Sequence, residues 1–363
     1  MRIRLKFGLV EISSVVLIPA LLSHVASSQS LPIISFARPA WTSEASFSQL
    51  ASARELANGN VIVADNEDVQ LYLIGPNGQT VASIGRKGSG PAEYLAPIRL
   101  IALANDSTLV VDVEARRYLL IDGRGKVVGT HRFPELLGED VGQVRGADPS
   151  GRLYFRYHKG GPNPDVPTPE TIVRWQRGRE HFDTVATITV QHPKPALFTI
   201  ERSENKTTVG RVNVRFAPVD DWIVAPSGRL AIIHAAPYRV DWVEKNGKLN
   251  AGSPVTYTPV VVTEADRKRA EPKGPPFVRT YAKVKSAFMN ESSATDDRDN
   301  VWVPRYEAAG AASRRWDVFS ATGKHLGIVP LSANRTLLTI TKRNAYVVRT
   351  DDDGLKWLER YAR

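Results

Sequence analysis

Short runs rich in β-branched and aromatic residues recur along this chain, each bounded by small polar turn residues. The first group reads Asn58–Gly59 followed by NVIVAD, then VQLYLI, then Gly75–Pro76–Asn77–Gly78 and QTVASI. A second group runs from Asn105–Asp106 through STLVVD and RRYLLI to Gly123, Gly125 and KVVGTH. Comparable groups follow Ser150–Gly151, Ser227–Gly228 and Asp299–Asn300, and a shorter one starts near TLLTI and NAYVVRT. Asn-Gly, Asp-Gly and Ser-Gly pairs supply the positive φ that tight hairpins need, so each group predicts antiparallel strands joined by short turns.

Six groups can be anchored on Val61, Leu109, Leu153, Leu230, Val301 and Tyr346. Three of the five intervals are close to the roughly 40–50 residues of a four-stranded blade, and two are longer by roughly 25–30. A lone blade leaves both sheet faces uncovered, so six of them must stack radially. The expected fold is therefore all-β, a six-bladed β-propeller of four-stranded antiparallel blades spanning 31–363 as one domain. The last group lacks a strand, and the segment from about Leu31 to Trp41 is expected to return and close the ring, which removes its open edges. The surplus residues are assigned to 158–169, 191–217 and 261–284. Within the last of these, Thr263-Glu264-Ala265-Asp266-RKRA predicts a capped short helix, in a helical insertion near 263–285.

The start of the chain changes the picture of where the protein works. Arg2, Arg4 and Lys6 precede an apolar run, Ser13 to Leu22, and small residues follow at Ala26–Ser27–Ser28. That order predicts a signal peptide over residues 1–28 and an exported protein, in the bacterial periplasm or outside the cell. The run is shorter than the ~20 residues that span a bilayer, and no other segment is long and apolar enough, so no transmembrane segment is expected in the mature chain. The chain has no cysteine, which excludes disulfides, zinc–thiolate sites and thiol nucleophiles. Its formal charge is +10. Outside the cytosol this points away from nucleic acid and toward an anionic small molecule, an acidic polysaccharide or an envelope protein.

The run Gly85-Arg86-Lys87-Gly88-Ser89-Gly90-Pro91-Ala92-Glu93-Tyr94 follows the first group. It resembles the G-R-x-G-x-G-P-G-E-F signature of bacterial NHL-like, TolB-like six-bladed propellers, departing from it at Ala92 (Gly in the family) and Tyr94 (Phe in the family). The resemblance implies a propeller and carries no activity. As a phosphate loop the run fails, because it lacks the Gly-Lys-Ser/Thr ending and opens no helix after a parallel strand.

In a blade whose strands A to D run outward from the axis, the B–C loops and the D-to-A crossovers share one face. All three insertions fall in that class, so this face is the expected binding surface. It also carries many arginines. Arg86, Arg116, Arg239 and Arg305 are the expected contacts for an anionic ligand, because a guanidinium donates in pairs to carboxylate, sulfate or phosphate. The competing reading for each is an ion pair within the scaffold. The expected function is non-catalytic binding, with no cofactor. The alternative is a lactonase-type hydrolase or lyase holding a divalent cation in the channel, for which His158, His234 and Asp65 are weak candidate ligands. The tryptophans at 175, 222, 242, 302, 316 and 357 read as packing between blades.

Overall fold

In the computed structural model the described residues are 31–133, 141–157, 169–189, 196–203, 206–212, 214–270 and 280–363. Turn chemistry sets the local structure. Gly59, for example, takes φ +87° in the hairpin that joins Leu50–Glu55 to Val61–Asp65. Where a turn lacks glycine, Asn105, Asp106 and Asp299 adopt φ of 56–58° instead, as short polar side chains can.

Six four-stranded antiparallel sheets result. Blade 1 is Leu50–Glu55, Val61–Asp65, Gln70–Ile74 and Thr80–Ile84. Blade 2 is Pro97–Ala102, Thr108–Asp112, Arg117–Ile121 and Val127–Arg132, and blade 3 is Val141–Ala147, Leu153–Tyr157, Pro169–Trp175 and Phe182–Thr189. Blade 4 is Asp221–Val224, Leu230–Ala235, Tyr238–Val243 and Leu249–Asn250. Blade 5 is Ala294–Thr295, Val301–Pro304, Ser313–Phe319 and His325–Ser332. Blade 6 takes Arg335–Ile340, Asn344–Thr350 and Lys356–Ala362 from the end of the chain and Trp41–Thr42 from its beginning. Strands are lettered A to D in these orders.

The A strands touch one another in sequence from blade 1 to blade 6 and back to blade 1, so they form the innermost ring. A buried apolar cluster fills each gap between neighbouring blades, from Leu56, Ile62 and Val110 between blades 1 and 2 to Phe47, Val63 and Tyr346 between blades 6 and 1. Strand B of blades 1 and 2 is buried along its whole length, as a strand covered on both faces must be, each large aliphatic side chain contributing about 1.5–3 kcal/mol. Trp175, Trp222, Trp242, Trp302 and Trp316 are all buried in these packed layers. The architecture is the six-bladed propeller expected from the repeats. Its closure is displaced slightly along the chain. Pro32–Ile34 bonds to Ile328 on the outer edge of blade 5, and Trp41–Thr42 supplies the outer strand of blade 6.

The helix forms where the capping residues lie. Glu264–Arg269 is capped by Thr263, which accepts from Asp266 N, while the Asp266 carboxylate accepts from Thr263 N. Asp266 is also bound by the buried Lys285 at 2.6 Å. The crossover before blade 4 carries a hairpin, Ala196–Ser203 with Lys206–Val212. Beyond it, Val214–Arg215 pairs in parallel with Thr280–Tyr281, which joins this crossover to the next.

The Gly-rich run is a compact structural knot. Arg86–Lys87 pairs in parallel with Glu93–Tyr94. Gly85 is required there, since a Cβ would stand 2.4 Å from the Ala92 carbonyl oxygen. The Tyr94 hydroxyl donates to Ile84 O and accepts from Leu71 N and Gln70 Nε2, so the ring departs from Phe to gain a hydrogen-bonded hydroxyl. Burial pushes this phenol up to about 12. Ala92 holds φ +59°, where a Cβ costs about 1–2 kcal/mol. Ala92→Gly is therefore expected to stabilise the fold, by about 0.5–1 kcal/mol after the greater chain entropy of glycine is subtracted. A rise in the urea midpoint at unchanged slope checks it, and a fall would show that the Ala92 methyl packs usefully.

Candidate functional site: the axial cavity

Every blade contributes its A strand to one cavity of about 370 Å³ on the axis. A strands differ from B strands in a simple way: their inner edge has no further strand to bond. Leu50–Glu55 accordingly buries only Leu50 and Ala53 and leaves its other positions half-buried, where Val61–Asp65 is buried throughout. Ser52 pairs with Ala64, Arg99 with Val111, Asp221 with Ile233 and Thr336 with Val348. These partners lie near the ends of the B strands, so this level of the cavity is nearer the face that carries the B–C turns and the crossovers.

The charged groups of the cavity are concentrated on blades 2 to 5. Arg145 Nη1 donates to Asp221 Oδ1 at 2.6 Å, and its guanidinium lies 4.8 Å from the ring centroid of Trp222. Asp221 is wholly buried and also accepts from the backbone N–H of Trp222 and, at 2.7 Å, of Glu291. Arg156 stands 4.0 Å from Asp221 and 3.8 Å from Glu291. Arg99 makes a long hydrogen bond of 3.4 Å to Val144 O, and among the described residues it makes no ion pair. Burial, and then the charge of Arg145, push the Arg99 guanidinium below its usual range, while Glu291 and Asp221 partly offset this. Among the described residues, three polar atoms of the lining are buried without a hydrogen-bond partner: Arg145 Nε, Trp222 Nε1 and Ser293 Oγ. Each can donate. A cavity with surplus donors and a guanidinium in no described ion pair is chemically suited to an acceptor-rich anion.

The arginines singled out from sequence all lie on the B–C and crossover face, and Arg305, Arg239 and Arg86 bind carboxylates. Arg305 forms a bidentate pair with the buried Asp317 at 2.6 and 2.7 Å. Arg239 binds Asp241 through Nε and Nη2. Tyr238, beside Arg239, donates to Asp317 and so links these two pairs across blades 4 and 5. Arg86 is largely exposed and bonds Glu93 at 2.7 Å. Arg116 sits exposed in the B–C turn of blade 2 at φ +50°.

The candidate metal ligands are also engaged. His234 places Nδ1 2.8 Å from Asp220 and Nε2 2.9 Å from Asp241, which leaves neither nitrogen open. Asp65 is buried and accepts four backbone N–H groups, from Ser48, Gln49, Glu67 and Asp68, fastening the crossover to the B–C turn. His158 lies outside the described residues. Among the described residues no three His, Asp or Glu side chains are grouped to hold a metal ion.

Arg99 and Arg145 were not singled out from the sequence. The available signal was a lone arginine in a first strand with no other charged residue, PIRLIA in blade 2 and VGQVRGA in blade 3.

No family model matches the chain, and no curated protein matches it. Among solved structures, a member of the DUF4221 family from Bacteroides vulgatus is similar over 92% of this chain and 98% of its own, with a TM-score of 0.55 and 9% identity. A gluconolactonase from Xanthomonas campestris matches over 90% of this chain and 88% of its own, with a TM-score of 0.46 and 10% identity. A virginiamycin B lyase from Staphylococcus aureus matches over 86% and 95%, with a TM-score of 0.45 and 8% identity. At these identities the likeness concerns the fold alone. No helix among the described residues is long and apolar enough to cross a membrane.

Proposed function

We propose that this chain is an exported, non-catalytic binding propeller of the NHL-like, TolB-like kind, which takes a small anion in its axial cavity. The observation that carries this reading is the meeting of Arg99, which pairs with no carboxylate among the described residues, with donors of Arg145, Trp222 and Ser293 that have no partner there either. The cavity volume is within the ~300–1,000 Å³ range of small-molecule sites. Arg86 and Arg116, exposed on the same face, serve as outer contacts for a ligand that extends beyond the mouth. Arg239 and Arg305 serve the scaffold through their carboxylates. Export rests on the signal-peptide pattern of residues 1–28.

Sugar acids and sugar phosphates, with neutral sugars as controls, are the probes to titrate by calorimetry. A guanidinium bonded to an anion contributes about 1.5–3 kcal/mol. The double substitution R99Q/R145Q is therefore expected to weaken anion binding by at least roughly tenfold, with the circular dichroism spectrum unchanged. Anion affinity equal to that of the parent would remove the cavity as the site. Metal analysis separates the competing class: a stoichiometric divalent cation in the purified protein would favour a lactonase-type hydrolase or lyase.

A further inference from the structure

The A–B and C–D turns share the face opposite the crossovers, because successive antiparallel strands reverse direction. On three adjacent blades the C–D turn of that face carries two exposed cations. They are Arg124 and Lys126 in blade 2, Arg177 and Arg179 in blade 3, and Lys245 and Lys248 in blade 4. None of these six side chains forms an ion pair among the described residues. The carboxylates nearby are mostly engaged. Asp122 accepts the backbone N–H groups of Arg124 and Lys126, and Glu244 is bound by Arg229 at 2.6 Å and by Asn250. Asp106 and Asp148, in the A–B turns of blades 2 and 3, pair with Arg54 and Arg152. Glu180 stands exposed among the six cations. The outer arc of this face is therefore a positive surface three blades wide.

Exposed aliphatic side chains stand beside two of these turns. Leu249 follows Lys248 and is 55% exposed, and Val128, two residues from Lys126, is 60% exposed. Both lie on D strands, the outer edges of their blades, where no further strand covers them.

The spacing of the charges decides what fits. A single ionised group needs cations that converge, whereas these are spread along an arc at the tips of short hairpins and match an extended negative surface. The turns contain no aromatic residue on which a sugar could stack. Aliphatic groups beside cations suit the boundary between lipid headgroups and acyl chains. We propose that this arc docks the protein peripherally on an anionic phospholipid surface, with the crossover face turned outward to solution. Each Lys or Arg held close to an anionic leaflet raises the partition coefficient about fivefold.

Co-sedimentation of the purified protein with vesicles tests this, using an equal mixture of phosphatidylglycerol and phosphatidylcholine against phosphatidylcholine alone. Binding is expected to the mixed vesicles only, and to be lost in about 0.5 M salt, where the Debye length falls to about 4 Å. The variant R177Q/R179Q/K245Q/K248Q is expected to lower the partition coefficient about thirtyfold, the effect of two cations in contact, with an unchanged circular dichroism spectrum. K87Q/K268Q/R269Q/K283Q removes the same charge from exposed positions of the crossover segments and is expected to bind as the parent does. Equal losses in the two variants would mean a response to net charge alone and would overturn the docking face. Equal binding to both vesicle types would overturn the role of the cations. Failure to bind the mixed vesicles overturns the proposal outright, and capture of soluble polygalacturonate in that case would make an acidic polysaccharide the occupant.

Discussion

Asp317→Ala is expected to lower the unfolding free energy by about 3–5 kcal/mol, the cost of leaving the mostly buried Arg305 without its counter-ion. Asp317 is wholly buried on strand C of blade 5. It accepts two bonds from Arg305 at 2.6 and 2.7 Å and one from the Tyr238 hydroxyl at 2.8 Å, and His325 Nε2 lies 2.8 Å from its other oxygen. Tyr238 belongs to blade 4, so the substitution also loosens the seam between two blades. Burial alone would push the Asp317 carboxyl up, but the nearby His325 and the hydrogen bonds from Arg305 outweigh it and hold the group below its ordinary value. A carboxyl depressed in the folded state contributes fully above its unfolded pKa, near 4, and loses that contribution as pH falls through the folded value. Urea unfolding should therefore show a wide gap between parent and variant at pH 7 that narrows on acidification below pH 4. An unchanged gap at the lowest pH where both still fold would mean that Asp317 acts by packing alone.

Arg117→Met should cost about 3 kcal/mol, toward the lower end for a broken buried pair. Arg117 is the staple of the Gly-rich run. Its Nε donates to Asp112 at 3.0 Å, Nη1 to Ser89 O, and Nη2 to Gly88 O and Glu93 O. Met keeps much of the stem volume and removes all four bonds. Asp112 retains the N–H groups of Leu95 and Ala96, which is why the loss stays moderate. Arg117→Lys should recover only part of it, because an ammonium group cannot reproduce the planar fork. Hydrogen exchange should locate the damage, with amides of residues 85–95 opening faster than those of blade 5. Uniform acceleration around the ring would argue that the run is not held by this one side chain.

The carboxylate partners of Arg305 and Arg239 were not legible in the residue order. Arg305 was read as a ligand contact because it ends a B strand on the elaborated face. Val303 pairs with Asp317 on the adjacent strand, and that register lets the guanidinium two residues further on reach the carboxylate. Arg239 is held by Asp241 two positions along its own strand. Position on a face could be worked out from strand order, whereas the partner of each charge depended on register, and a misplacement by one residue turns a side chain to the opposite sheet face.

The chain's own order of residues was enough for the number of blades, the hairpin turns, the capped helix at Thr263 and the return of the N-terminal segment. Those features follow from local φ preferences and from alternation within a few residues, which are carried by neighbours in sequence. The axial cavity is of another kind. Arg99, Arg145 and Asp221 belong to three different blades and Glu291 to the crossover before blade 5, and they become neighbours only when six sheets close into a ring. No local preference encodes that meeting, because the geometry of closure decides which edge of each first strand faces the axis and which donors are left there without a partner.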